Sequence, residues 1–286
     1  MEKKPVRAPE NLPHKLIGVC WILTTQCNLK CPKCFALTGL NDGDLQTQKN
    51  IVDIIAGDGV KKLTFAGGEP LLVPHCIDLI TYAHDKRLKN ALFTNGLLLT
   101  PKLIEQLDPI LDHLSLPLEG STPEIHERVM GSKKHHNKVL SLLPHVTKKR
   151  FNLEVSTVIT QQNIDDLANL GNLLATYGVP KWKLFQFYPL GRGLLNNESL
   201  SVNSDAFLNA TKSIAELFPN IDVDIQVGDE DKQASYFNLD PKGDVYTTIK
   251  NKYVLMGNIF KASPIQIWQD PRFRHERHTA RHSRDI

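Results

Sequence analysis

The stretch TTQCNLKCPKCF, Thr24 to Phe35, places Cys27, Cys31 and Cys34 close together; the chain has only two other cysteines, Cys20 and Cys76. Five cysteines clustered this way do not make a disulfide framework. They suggest a metal or a catalytic centre in a reducing compartment. The spacing is Cys27-x₃-Cys31-x₂-Cys34. Structural zinc normally takes four ligands from paired knuckles. Here the second pair is missing, and a fourth ligand would have to come from Cys76 or a histidine. A four-iron cubane held by three thiolates keeps one iron open, and an open iron can take a substrate or cofactor. Cys20, between Val19 and Trp21, reads as a buried thiol, and Cys76, on a helical pattern, as structural.

Working outward, the cysteines directly follow an apolar, β-rich run at 16–23. Further such runs lie at 60–67, 90–96, 111–118, 151–159 and 181–190. Helical periodicity fills most of the intervals, at 46–59, 75–86, 100–107, 135–146 and 163–178. Thr100 before Pro101 predicts a helix start, and Gly178 a helix end. Six strand–helix repeats imply a parallel sheet with right-handed crossovers, with chemistry gathered at the strands' C-terminal ends. Beyond 190 the pattern changes. A helix is expected over 204–218, capped by Ser204. Residues 221–227, 235–240 and 244–249 alternate like antiparallel strands, with Asp240–Asp244 as a hairpin turn.

The division expected is an N-terminal arm (1–15), a core (16–190), a capping extension (191–270) and a mobile basic tail (271–286). That tail carries Arg272, Arg274, Arg277, Arg281 and Arg284 without the interleaved aromatics that would stack bases. The 286 residues are 41% hydrophobic and 23% charged, an ordinary globular composition. The net charge of +3 is too small to argue for nucleic acid as a partner. No apolar run spans a bilayer, and the first sixteen residues lack a signal-like stretch. A cytoplasmic protein with no membrane partner is the expectation.

A second motif, FAGGEPLL, puts Gly67, Gly68 and Glu69 after the second strand run. Adjacent glycines allow close backbone approach to a ligand, and Glu69 adds charge. The cysteine triad and this turn, at the ends of consecutive strands, resemble the radical S-adenosylmethionine (SAM) superfamily. The resemblance covers most of the chain. It implies an α/β fold, a partial (βα)₆ TIM-like barrel, here with a small C-terminal α+β extension. It also implies one [4Fe-4S] cluster on Cys27, Cys31 and Cys34, with SAM chelated at the open iron. Reductive cleavage of SAM would give a 5′-deoxyadenosyl radical that abstracts hydrogen from a substrate. An electron donor such as flavodoxin or ferredoxin is implied as partner.

By the same resemblance the Gly67–Glu69 turn binds the SAM amino group, and Thr94, Asn95, Thr157 and Asn163 are candidate SAM neighbours. The fourth-strand segment departs from the family's Ser-Leu-Asp-Gly. Pro117 and Glu119 replace its serine and aspartate, and Ser115, two residues back on the same face, is the candidate hydroxyl. Lys33 stands where an aromatic is common, so only its backbone is expected to matter, with Phe35 packing on adenine. The segment around DPKGDVYTTI and GNIF resembles the end of peptide-modifying radical SAM enzymes. Thr247 and Thr248 stand in place of the cluster cysteine there, so cysteine-ligated auxiliary clusters are excluded.

The substrate reading divides between a small molecule, a nucleotide and a peptide. Trp182-Lys183-Leu184-Phe185-Gln186 and Gly131-Ser132-Lys133-Lys134-His135 resemble phrases of viperin-like nucleotide dehydratases, in which the lysines contact a triphosphate. Lys134 and Lys183 are thus candidate phosphate ligands, with Gln186, Tyr188 and Arg192 as further substrate candidates. Two departures weaken the match: no histidine follows Phe35, and YPLGRG replaces an acidic stretch. The alternative of another class is a non-catalytic metal-binding module.

Overall fold

The computed structural model describes residues 14–37, 39–40, 42–228 and 233–282. The arm through residue 13 and the end of the tail, with Arg284, lie outside the described residues. The first half of the chain alternates β1 (Gly18–Thr24), α1 (Leu45–Gly57), β2 (Lys62–Gly67), α2 (Cys76–Asp85), β3 (Lys89–Phe93) and α3 (Pro101–Leu107). It continues through β4 (His113–Pro117), α4 (Pro123–Met130), α5 (Lys133–Val146), β5 (Asn152–Ile159), α6 (Leu167–Thr176) and β6 (Lys181–Gln186). Then come α7 (Arg192–Leu195), α8 (Asn197–Leu200), α9 (Ser204–Leu217), β7 (Asp222–Gln226), β8 (Asn238–Leu239), β9 (Asp244–Ile249) and β10 (Lys252–Asn258).

The chain divides into two compact units, one of Met1–Gln26, Gly39–Leu92 and Asp231–Ile286, the other of Cys27–Thr38 and Phe93–Glu230. In the first unit the strand order is β10-β9-β8-β1-β2-β3. β1, β2 and β3 run parallel, as do β1 and β8, while β8, β9 and β10 are antiparallel. The six-repeat expectation holds for β1, α1, β2 and α2. Asp44 caps α1 by accepting the Thr47 N–H, and Ile51, Val52 and Ile55 bury its apolar stripe. The hairpin turn is also found, with Asp240 Oδ1 accepting the N–H groups of Lys242 and Asp244. β10 was not expected.

The basic tail is corrected. Residues His275–His282 form a helix, and His278 is buried. Its Nε2 accepts the Ile17 N–H at 3.1 Å, and its Nδ1–H donates to the Ser235 carbonyl at 3.3 Å. Arg281 stacks on the Tyr236 ring and donates to Ser235 Oγ at 2.8 Å. A segment without apolar periodicity is therefore ordered by polar contacts to residues far away in sequence.

In the second unit β4, β5, β6 and β7 are all parallel, in that order. Residues 222–226 thus extend the parallel set, against the antiparallel expectation. α9 provides the crossover that parallel pairing needs. Its cap is Asn203, whose Oδ1 accepts the Ala206 N–H at 2.7 Å, rather than Ser204. α4 was also missed, although Thr122, Pro123 and Gly131 supply a cap, a first-turn proline and a left-handed stop. Each unit's strand order is open. Thr100 caps α3, and Gly178, at φ +67°, follows α6, both as expected.

Candidate cluster and cofactor site

The cysteine loop belongs to the second unit, and side chains from four directions hold it. The Cys34 N–H donates to the Cys31 carbonyl, and the Leu29 N–H approaches Cys27 Sγ at 3.4 Å. Asn196 Nδ2 donates to the Pro32 carbonyl, Arg192 reaches the Cys31 carbonyl at 3.4 Å, and the Gly193 N–H donates to the Cys34 carbonyl. Cys27, Cys31 and Cys34 form no disulfide; Cys31 is buried beside Met130, Cys34 half-buried and Cys27 exposed. Burial pushes the Cys31 thiol up to about 12, an effect that Lys33 opposes and the neighbouring Cys34 and Cys27 reinforce.

Lys33 departs from expectation. Its side chain, not only its backbone, is engaged, in an ion pair with Glu119. Glu119 is fully buried at the end of β4. Its Oε2 accepts the Val158 N–H at 2.7 Å, and its carbonyl accepts Asn163 Nδ2 at 2.9 Å. Burial raises the Glu119 carboxyl above its ordinary range, opposed by Lys33 and by the Val158 N–H. The sequence held a signal for this pair, since Lys33 and Glu119 are both departures from the family pattern and carry opposite charges.

The Glu119 N–H donates to His126 Nδ1 at 3.0 Å. His126 Nε2–H must then donate to His135 Nδ1 at 2.8 Å, and His135 Nε2–H to the Asn95 carbonyl at 2.7 Å. This relay, absent from the sequence reading, uses both nitrogens of each ring and leaves both rings neutral. Burial lowers both pKa values well below the usual imidazole range. Asn95 in turn donates to Asn28 Oδ1 at 2.7 Å and lies 4.0 Å from Cys27 Sγ. Asn95, a SAM candidate, is thus placed at the cysteine loop by a side-chain contact. Thr94 is buried, and its Oγ1 accepts the Gly96 N–H.

The other candidates on this unit serve neighbouring strand ends. Thr157 Oγ1 donates to the Leu118 carbonyl and accepts Trp182 Nε1–H, on the face where Trp182 meets Phe218. Asn163 joins Glu119 to Val158 and Thr160. Gln186 has its amide engaged by Val202, Ser204 and the Gly228 N–H, and Tyr188 is buried. Phe35 is 52% exposed, so its ring is not packed away.

The opposite face of this unit's strands carries charge. Ser115 Oγ donates to Glu154 Oε1 at 3.1 Å, so the candidate hydroxyl is engaged. Glu154 lies 3.7 Å from His113 Nε2 and 3.9 Å from Lys183 Nζ, and Lys183 lies 3.2 Å from Asp224. Burial alone would raise Glu154; the His113 hydrogen bond and the Lys183 charge overcome it and hold the carboxyl at about 2. Lys134 is exposed in the first turn of α5 and pairs with no acid among the described residues.

The Gly67–Glu69 turn belongs to the first unit. A Cβ on Gly67 would lie 2.3 Å from the Thr24 carbonyl oxygen, and one on Gly68 would lie 2.0 Å from that of Gln26. Both glycines are therefore required by the approach to β1 itself, a reason distinct from ligand approach. Their neighbours complete the lock: the Gly68 N–H donates to Thr24, and the Glu69 N–H to Gln26, the residue before Cys27. Glu69 is buried and accepts the Leu71 N–H at 3.1 Å, capping a short 3₁₀ turn.

Among the described residues no three His, Cys, Asp or Glu side chains converge on a single metal ion. The donor set of the loop is three thiols, joined by no fourth His, Cys, Asp or Glu in a metal-holding group among the described residues, which suits a multi-iron cluster with one open position better than a closed zinc site. No helix of the described residues is long and apolar enough to cross a membrane.

These features define an α/β protein with a three-thiol loop after its first strand, and comparison with known proteins agrees. The Radical SAM superfamily model matches residues 21–174. An AdoMet-dependent heme synthase of Methanosarcina barkeri is 29% identical over 61% of this chain and 52% of its own. The chain spans about half the length of that protein and of the other first relatives. A SAM-dependent nucleotide dehydratase of Selenomonas ruminantium is 30% identical over 83% of this chain and 88% of its own. The structure of Streptococcus suis SuiB bound to S-adenosylmethionine shares the fold, with TM-score 0.72 at 15% identity over 91% of this chain and 67% of that one. The chain belongs to the radical SAM superfamily and is an enzyme of that family, whose members imply a [4Fe-4S] cluster and SAM.

Proposed function

We propose that this chain is a radical SAM nucleotide dehydratase. The observation that carries the reading is its co-linear match to the Selenomonas ruminantium dehydratase over 88% of that protein's length. The heme synthase and peptide cyclase relatives are matched over about half of theirs. Thr247 and Thr248, standing where the peptide-modifying resemblance places a cluster cysteine, support it.

Cys27, Cys31 and Cys34 would hold the cluster, and Asn95 would line its loop. When bound, the cluster and SAM together supply a one-electron cleavage that yields a hydrogen-abstracting radical. An external donor of flavodoxin or ferredoxin type would deliver the electron. The chain's own residues bind and orient the nucleotide and exclude water from it.

Lys134, exposed and without an acidic partner among the described residues, is the stronger phosphate ligand of the two lysines. Lys183 already shares its charge with Asp224 and Glu154.

The test is anaerobic turnover of the reconstituted enzyme with each nucleoside triphosphate. One of them should accelerate SAM cleavage and lose the elements of water, read by mass spectrometry. Lys134→Met should weaken nucleotide binding about ten- to a hundredfold, the loss of one charge-assisted contact worth about 1.5–3 kcal/mol. If no nucleotide stimulates cleavage, the dehydratase reading fails and a peptide substrate is next, in line with the C-terminal segment's resemblance.

A further inference from the structure

We propose that Lys33 and Glu119 act as one positioning unit that seats the cysteine loop and sets the reduction potential of the cluster it would hold. The inference rests on the cluster reading of the three cysteines and is independent of the substrate.

Lys33 lies between two of the thiols, with its side chain 12% exposed and that of its partner fully buried. The tethers from Arg192, Asn196 and Gly193 all end on loop backbone carbonyls. The Lys33–Glu119 pair instead joins the loop to the end of β4 through charge. Glu119 cannot swing away, because Val158 holds its carboxylate while His126 and Asn163 hold its backbone. Its carboxylate is thereby committed to the loop.

Lys33 stands in the chain between Cys31 and Cys34, and Glu119 is paired to it, so a positive and a negative charge both sit at the loop that carries the thiols. Reducing a cluster adds negative charge. A nearby ammonium favours the reduced form and a carboxylate opposes it, and net charge is one of the main determinants of cluster potential. The pair as a whole is neutral. Each single substitution should therefore unbalance it with opposite sign, and the double substitution should restore the balance.

The experiment is anaerobic reconstitution of the full chain, iron analysis, and redox titration followed by electron paramagnetic resonance. Lys33→Met should shift the reduction equilibrium at least tenfold toward the oxidised cluster, about 59 mV for a one-electron couple. Glu119→Gln should shift it toward the reduced cluster. The double variant should return to within about threefold of wild type, the coupling expected of residues in contact. Where Lys33→Met assembles no cluster, Lys33→Arg should restore iron content. Unmoved potentials in variants with full iron, shifts of the same sign, or an arginine variant as empty as the methionine one would overturn the proposal. A wild-type chain that binds no cluster would overturn the cluster reading, and this inference with it.

Discussion

The cysteine loop and the Gly67–Glu69 turn are held by opposite means. The loop is fastened by side chains: Lys33 to Glu119, Asn95 to Asn28, and Arg192 and Asn196 to its carbonyls. The turn is fastened by the absence of side chains, since its glycines lie where a Cβ would strike the backbone of Thr24 and Gln26. A loop that must present thiols is held here by tethers that mostly end on its backbone carbonyls and on Lys33 rather than on its cysteines. A turn locked by packing needs only that nothing be added. The first should tolerate conservative change in its supports, and the second should tolerate almost no change at its glycines.

The most severe break is at the loop's chemistry. Replacing Cys27, Cys31 and Cys34 together by alanine should abolish iron binding and production of 5′-deoxyadenosine, while circular dichroism stays native. Iron analysis of the wild type should give about four irons per chain, as one triad allows. A value near eight would show a second cluster with unusual ligands.

The turn should fail sterically. Gly68→Ala forces a Cβ against the Gln26 carbonyl oxygen, a backbone atom that cannot rotate away, so overpacking should cost about 3 kcal/mol of stability in chemical denaturation. The control is Gly178→Ala, which has φ +67° but nothing within 4 Å of the new Cβ. It should cost about 1 kcal/mol, from backbone strain alone. Equal losses at the two positions would refute the packing account of the turn.

Acid sharpens the comparison further, because each unit rests on buried neutral imidazoles. Burial lowers His278 to about 3 in the first unit and depresses the His126–His135 relay in the second. The unfolded chain takes up these protons near pH 6.5, while the folded chain does not until well below that. The stability they contribute is complete above pH 6.5 and lost as pH falls toward the folded values. Each histidine should contribute up to about 1.4 kcal/mol per pH unit in that window. His278→Gln should flatten the slope of unfolding free energy between pH 6.5 and 5. An unchanged slope would mean that His278 is not neutral in the fold.

What the sequence determined by itself is local. The spacing of Cys27, Cys31 and Cys34, the paired glycines at 67 and 68, the Thr100 cap and the Gly178 stop each depend on neighbours a few residues away. Such neighbours are fixed by covalent reach, so their meaning survives in the bare chain. The alternation of strands and helices through β6 was legible for the same reason. Only the tertiary structure decided the rest. β7 joins β6 in parallel because a whole helix crosses between them, and alternation of side chains is the same in either direction. The C-terminal helix is ordered by His278 against Ile17, 261 residues away. Ser115, Thr157 and Gln186 stand at strand positions that suit a ligand, and folding alone shows the protein partners each of them has. Lys33 and Glu119 were visible as two separate oddities. Their charges explain one another only once folding has closed their separation of 86 positions along the chain, because a Coulomb attraction depends on distance in space and not on distance along the chain.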